Sequence, residues 1–299
     1  MLLSHFAGAA PASDLAVDGD QVARDPRFGR NSELPGEDPY LNGQVAVGYM
    51  KGIRAKDPAG HPLAVAYLKH FTAYSRETNR GHDTYEISAF DFGETYLPQY
   101  EVALREGGPG SYFNKSEAAD GVMCSYNGEN GAPSCANGWL LDDVMRTRWA
   151  RPDAVVVTDS GAVLNLQGPP VNASSTALAA AMAINNGTDM NDGHGFAALA
   201  DAVKQGLTTE AKVDTALKRA LRQLFTVGLF DQPSQEGSDW TQTITAEDIA
   251  STEHQHARDD AALQSIVLLQ NDPHTGNHPL LPVRLPHLCA ASACLRLHV

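Results

Sequence analysis

The chain has 299 residues, 42% hydrophobic and 19% charged, with a formal net charge of −14. This suits a globular protein with a large core in one or two domains. The negative balance argues against nucleic acid or an anionic membrane surface as partner, and no apolar run approaches the roughly 20 residues that cross a bilayer.

Met1 to Ala16 has no basic segment, and Ser4, His5, Gly8 and Pro11 break its apolar stretch, so it reads poorly as a signal peptide. A strand is expected over Gln21 to Ala23. The turn Pro35-Gly36-Glu37-Asp38-Pro39 opens a helix from about Leu41 to Arg54. Leu63 to Leu68 reads as a buried strand that delivers Lys69 and His70. Glu86 to Leu104 is mixed and ends as a helix. Gly121 to Ser125 is the next strand and delivers Tyr126, followed by a helix from Trp139 to Trp149.

Ala154-Val155-Val156-Val157-Thr158 then runs straight into Asp159-Ser160-Gly161. A continuous apolar run ending in an acid and a glycine turn has the pattern of a buried parallel strand. In a β/α barrel such strand ends carry the chemistry. Asp159 is therefore either a site carboxylate or the N-cap of the next helix. Small-residue and amphipathic helices follow over Ala177 to Ile184, Phe196 to Lys204 and Glu210 to Phe225, with Thr188-Asp189-Met190 between the first two. Residues 231–250 are polar and read as a linker. A helix from about Ala246 to Leu263 leads into the apolar run Ile266-Val267-Leu268-Leu269. Alternating strands and helices ahead of that point favour an α/β barrel.

Four cysteines fall in two local pairs. Cys124 and Cys135 bracket an Asn- and Gly-rich loop and are either bridged, which fits a secreted protein, or free thiols. Cys289 and Cys294 lack partners at zinc-site spacing, so no metal is expected. No cofactor is expected either, because the Gly-rich stretches are turns without a phosphate-loop pattern.

Several ordered blocks carry a resemblance. They are Arg24-Asp25-Pro26-Arg27-Phe28-Gly29-Arg30 with Glu33, the turn Pro35 to Pro39, Lys69-His70-Phe71, Met123-Cys124-Ser125-Tyr126-Asn127, Pro133-Ser134-Cys135-Ala136-Asn137, and the Thr158-Asp159 strand end. Over roughly residues 22 to 283 the chain resembles glycoside hydrolase family 3, and most closely its two-domain β-xylosidases and β-glucosidases. The resemblance implies a (β/α)8 barrel followed by an α/β sandwich domain. Here that gives a non-family segment over residues 1–20, the barrel domain over 21–230, linker and helix over 231–264, and the start of the second domain with an atypical tail over 265–299.

The resemblance further implies an exo-acting retaining β-glycosidase that removes a terminal β-xylosyl or β-glucosyl residue from an oligosaccharide, in a secreted setting. Asp159 matches the nucleophile. Arg30, Lys69 and His70 match residues that bind the sugar hydroxyls, and Tyr126 matches the tyrosine beside the nucleophile. Glu33, Glu37 and Asp38 read as structural, an ion pair of Arg30 with Glu33 or Glu37 being compatible with its sugar-binding role, and Asp189 reads as a residue that touches the subsite.

Two departures stand out. The family's general acid/base is a Glu of the second domain, and no residue here matches it. The strands that the family places before Arg24 do not fit into 20 residues at about 30 per strand–helix unit, so the barrel is expected to be incomplete. Single-domain members use a His paired with an Asp instead; His82 and Asp83 lie in the right loop but lack the Asp-x-His spacing. A catalytically impaired fragment or a sugar-binding protein is the alternative.

Overall fold

A computed structural model describes residues 14–18, 22–57, 59–105, 118–231, 245–273, 279 and 281–282. It divides into two units, residues 1–233 and 234–299.

The frame of the first unit is a parallel sheet. Strand β1 (Asp14–Asp18) pairs with β2 (Val65–Phe71), β2 with β4 (Gly121–Cys124), and β4 with β7 (Val155–Thr158). An isolated parallel bridge between Val157 and Met190 adds a further position beyond β7. Among the described residues the sheet is open and does not close into a ring. The short strands β3 (Thr84–Tyr85), β5 (Gly128–Glu129) and β6 (Ala132–Pro133) form a second, smaller sheet.

The first strand is therefore Asp14–Asp18 rather than Gln21 to Ala23. Leu15-Ala16-Val17 is the apolar run that pairs with β2, while Val22 and Ala23 are irregular, with the Ala23 N–H donating to the Gly36 carbonyl at 2.9 Å. β7 falls on Val155–Thr158 as expected.

Both faces of the sheet are covered, which is why its strands read as continuous apolar runs. Ala66 and Leu68 of β2, Val122 of β4 and Val156 of β7 face the helices α1 (Pro39–Ile53), α2 (Pro98–Leu104) and α3 (Trp139–Arg148), which contribute Met50, Tyr100, Leu104, Leu140 and Met145. The alternate residues Val65, Tyr67 and Val155 pack on the other face with Val157, Met190 and Val227. Strand period alone assigns these two sets. β4 and β7 approach so closely that a Cβ on Gly121 would overlap the Val155 backbone, so a glycine is required there.

Helix starts follow side-chain caps. Asp38 accepts from the Tyr40 N–H at 2.9 Å, with Pro39 opening α1. Ser175 caps α4 (Thr176–Asn185) through the Leu178 N–H, and Thr209 caps α6 (Glu210–Thr226) through the Lys212 N–H; α5 is the short helix Leu199–Lys204 between them.

Two buried aspartates fix the far ends of the strands. Asp120 accepts from the Ala66 N–H at 2.9 Å and pairs with Arg54. Asp189 accepts from the Val156 N–H at 2.9 Å and pairs with Arg146 at 2.5 Å and Arg219 at 2.9 Å. Burial pushes both carboxyls up, and the arginines oppose it. Asp189 is thus a buried structural anchor facing the start of β7, not a subsite residue, correcting the sequence expectation.

In the second unit, helix α7 spans Thr252–Ser265, capped by Ser251. It starts later than Ala246. Residues 266–273 have no regular structure, and Ile266, Val267, Leu268 and Leu269 are all exposed. The tail Val283 to Val299, with Cys289 and Cys294, lies outside the described residues. Among the described residues no helix is long and apolar enough to cross a membrane.

Candidate active site

The C-terminal ends of β2, β4 and β7 lie side by side, so their last residues and the turns that follow form one cluster. β2 carries Lys69 and His70 inside the strand rather than after it; the Lys69–His70 and Phe71–Thr72 peptides are cis. β4 delivers Ser125 and Tyr126. β7 delivers Asp159, and Gly161 takes a left-handed φ of 75° to turn the chain into the next short helix.

Asp159 does not cap that helix with its side chain. Its Oδ1 accepts from the Ser160 N–H at 2.7 Å, whereas its buried Oδ2 has no hydrogen-bond partner and lies 3.4 Å from His70 Nε2. One carboxylate oxygen is thus held and the other is bare.

His70 is buried. Burial, then the nearby charges of Arg30, Lys69 and Arg80, lower its pKa to about 2. The imidazole is therefore neutral in ordinary buffers, with one N–H to donate. The Tyr126 hydroxyl donates to the Ser160 carbonyl at 2.8 Å. Burial and then the Asp159 charge push its pKa up to about 12, so the phenol keeps its proton.

Arg30 and Lys69 meet at Glu33. Arg30 bonds it through Nε at 2.8 Å and Nη2 at 2.7 Å, and the Lys69 ammonium lies 3.9 Å from it. Of the two ion pairs open to Arg30 in the sequence, with Glu33 or with Glu37, the structure forms the one with Glu33. Glu33 lies between the two cations, holding the Arg30 fork in a bidentate pair.

The turn after β2 supplies residues that sequence reasoning missed. Tyr74 is fully buried and packs edge-on against His70, at a centroid distance of 5.2 Å, with the Arg30 guanidinium over its ring. Glu77 accepts from the Tyr74 hydroxyl at 2.9 Å, and Arg80 lies over the Tyr126 ring at 4.5 Å. Their only signal in the sequence is proximity to Lys69-His70.

His82 is exposed, and its Nδ1 bonds the Pro169 carbonyl at 2.9 Å; Asp83 pairs with Arg76 at 2.9 Å. The two do not form a His–Asp pair. Behind the cluster, a disulfide joins Cys124 to Cys135 and so closes the loop that presents Tyr126. Among the described residues there is no group of three or more metal-ligating side chains.

The family model described as "Glycosyl hydrolase family 3 N terminal domain" matches residues 17–223. The chain belongs to glycosyl hydrolase family 3. It is 33% identical over 256 residues to the probable exo-1,4-beta-xylosidase bxlB of Aspergillus terreus, covering 83% of this chain and 32% of that protein. It is 33% identical over 262 residues to beta-xylosidase/alpha-L-arabinofuranosidase 1 of Medicago sativa subsp. varia, covering 85% and 32%. Among solved structures it matches the family 3 exo-beta-xylosidase XlnD, bound to a xylobiose aziridine activity-based probe, with a TM-score of 0.76 at 30% identity, covering 91% of this chain and 34% of that one. A β-glucosidase from Erythrobacter marinus matches with a TM-score of 0.74 at 28% identity, covering 87% and 33%. This family 3 chain thus spans about a third of the length of the relatives it matches.

Proposed function

We propose that this chain forms the sugar-binding and nucleophile-bearing part of an exo-acting retaining β-glycosidase, with Asp159 as nucleophile. The observation that carries the reading is the bare Asp159 Oδ2 beside neutral His70 at the strand ends. In a retaining mechanism one carboxylate attacks the anomeric carbon as the leaving oxygen departs with a proton from the acid, and water then cleaves the glycosyl–enzyme ester. The Ser160 N–H orients the carboxylate through Oδ1 and leaves Oδ2 for the sugar. Neutral His70 keeps one N–H for a glycon hydroxyl and leaves the nucleophile ionised. Lys69 and Arg30, steadied by Glu33, bind the glycon hydroxyls through charge-assisted bonds.

The sheet then corresponds to part of a (β/α)8 barrel, and Ile266 to Leu269 to the entry into a second domain that supplies the acid/base. The similarity to exo-1,4-beta-xylosidases favours a terminal β-xylosyl substrate, and the Cys124–Cys135 bridge favours an oxidising, extracellular setting. A substrate with a good leaving group needs little protonation. An activated aryl β-xyloside is therefore expected to be cleaved by the chain alone, faster than the aryl β-glucoside. Sugar binding with no release of the aryl group would instead assign a binding protein.

A further inference from the structure

We propose that Arg80 is a positioning residue of the Asp159 site, holding Tyr126 in place through the planar face of its guanidinium. This rests on the glycosidase reading above. Arg80 lies in the turn after β2, whereas Tyr126 and Asp159 follow β4 and β7. Its guanidinium covers the Tyr126 ring at 4.5 Å, and the ring is fixed at its other end by the bond from its hydroxyl to the Ser160 carbonyl. The same guanidinium is itself anchored. Nη1 donates to the Tyr74 hydroxyl at 2.9 Å and to Glu77 at 3.1 Å.

Tyr74 in turn touches His70, and Glu77 lies 3.9 Å from Arg30 Nε. Arg80 therefore joins the glycon-side cluster of Arg30, Glu77 and Tyr74 to the tyrosine beside the nucleophile. A surface ion pair alone contributes little. Here one guanidinium both covers the Tyr126 ring and donates twice through Nη1, a combination that lysine does not reproduce.

The test is the rate at which a 2-fluoro-β-xylosyl fluoride labels Asp159, followed by intact mass across inactivator concentrations. Wild type, Arg80→Lys and Arg80→Ala are compared, with folding checked by circular dichroism. Both variants are expected to lose about tenfold to a hundredfold in limiting labelling rate, the scale of a small misplacement of reacting groups, with little change in the inactivator concentration at half-maximal rate. Methylguanidinium is expected to restore Arg80→Ala, and methylammonium is not. Should Arg80→Ala fail to fold, Arg80→Lys carries the comparison. Labelling of a folded variant at the wild-type rate would overturn the role of Arg80 alone. A folded wild type that takes no label would overturn the glycosidase reading, and this inference with it.

Discussion

Burial shifts His70 and Glu129 in opposite directions, and in both it favours the neutral form. His70 is neutral by burial. Glu129 is also fully buried, accepting from Ser134 at 2.5 Å, Asn127 at 2.9 Å and Asn137 at 3.3 Å, and burial raises its pKa from 4.5 to about 8. Between those two values the native state holds a proton that the unfolded chain has released, so this group makes stability fall as pH rises from 4.5 to 8. Glu129→Gln keeps the neutral shape and removes the titration. Urea midpoints at pH 5 and pH 8 should therefore differ less in the variant than in wild type; an unchanged difference would refute the assignment. Asp159, His70 and Tyr126 were legible from the sequence because each sits at the end of an apolar run or beside one. Tyr74, Glu77 and Arg80 lie in a polar turn where no periodicity marks a facing side chain, and only the folded turn brings them to the site.

At the level of elements, the apolar runs gave β2, β4 and β7 within a few residues, the Pro35 to Pro39 turn gave α1, and small-residue or apolar-face patterns gave α4 and α6. The loose points follow from the same physics. β1 was misplaced because short apolar stretches flank residue 20 on both sides, and only pairing with β2 chooses between them. Asp189 looked like a strand-end carboxylate, yet its side chain points back to the start of β7, where it meets two arginines. Removing one partner of such a buried cluster leaves the others uncompensated. Asp189→Ala is predicted to cost about 3–5 kcal/mol in chemical denaturation; a loss below 1 kcal/mol would show that Arg146 and Arg219 find other partners. The Cys124–Cys135 bridge closes a short loop, its cysteines 11 apart in sequence. The Cys124→Ser, Cys135→Ser double variant is expected to lose about 3 kcal/mol by the loop-entropy relation, measured in the same way. Equal stability of the two proteins would contradict this. Sequence alone left that bridge open because spacing does not show whether two cysteines face each other.

For the whole molecule, the acidic balance and the mixed α/β pattern bounded the class, and the family blocks narrowed it to glycosyl hydrolase family 3. The sheet and the Asp159 cluster lie within the first unit. The apolar run Ile266 to Leu269 was expected at the entry into a second domain. All four residues are exposed and lack regular structure. Every role proposed for the residues around Asp159 depends on its being a working nucleophile. The deciding measurement is peptide mapping of the chain after incubation with 2-fluoro aryl β-xyloside and β-glucoside. A single glycosyl adduct on Asp159, absent from Asp159→Asn and formed faster from the xyloside, is the predicted result; a folded chain that carries no adduct, or carries it on another residue, would contradict it.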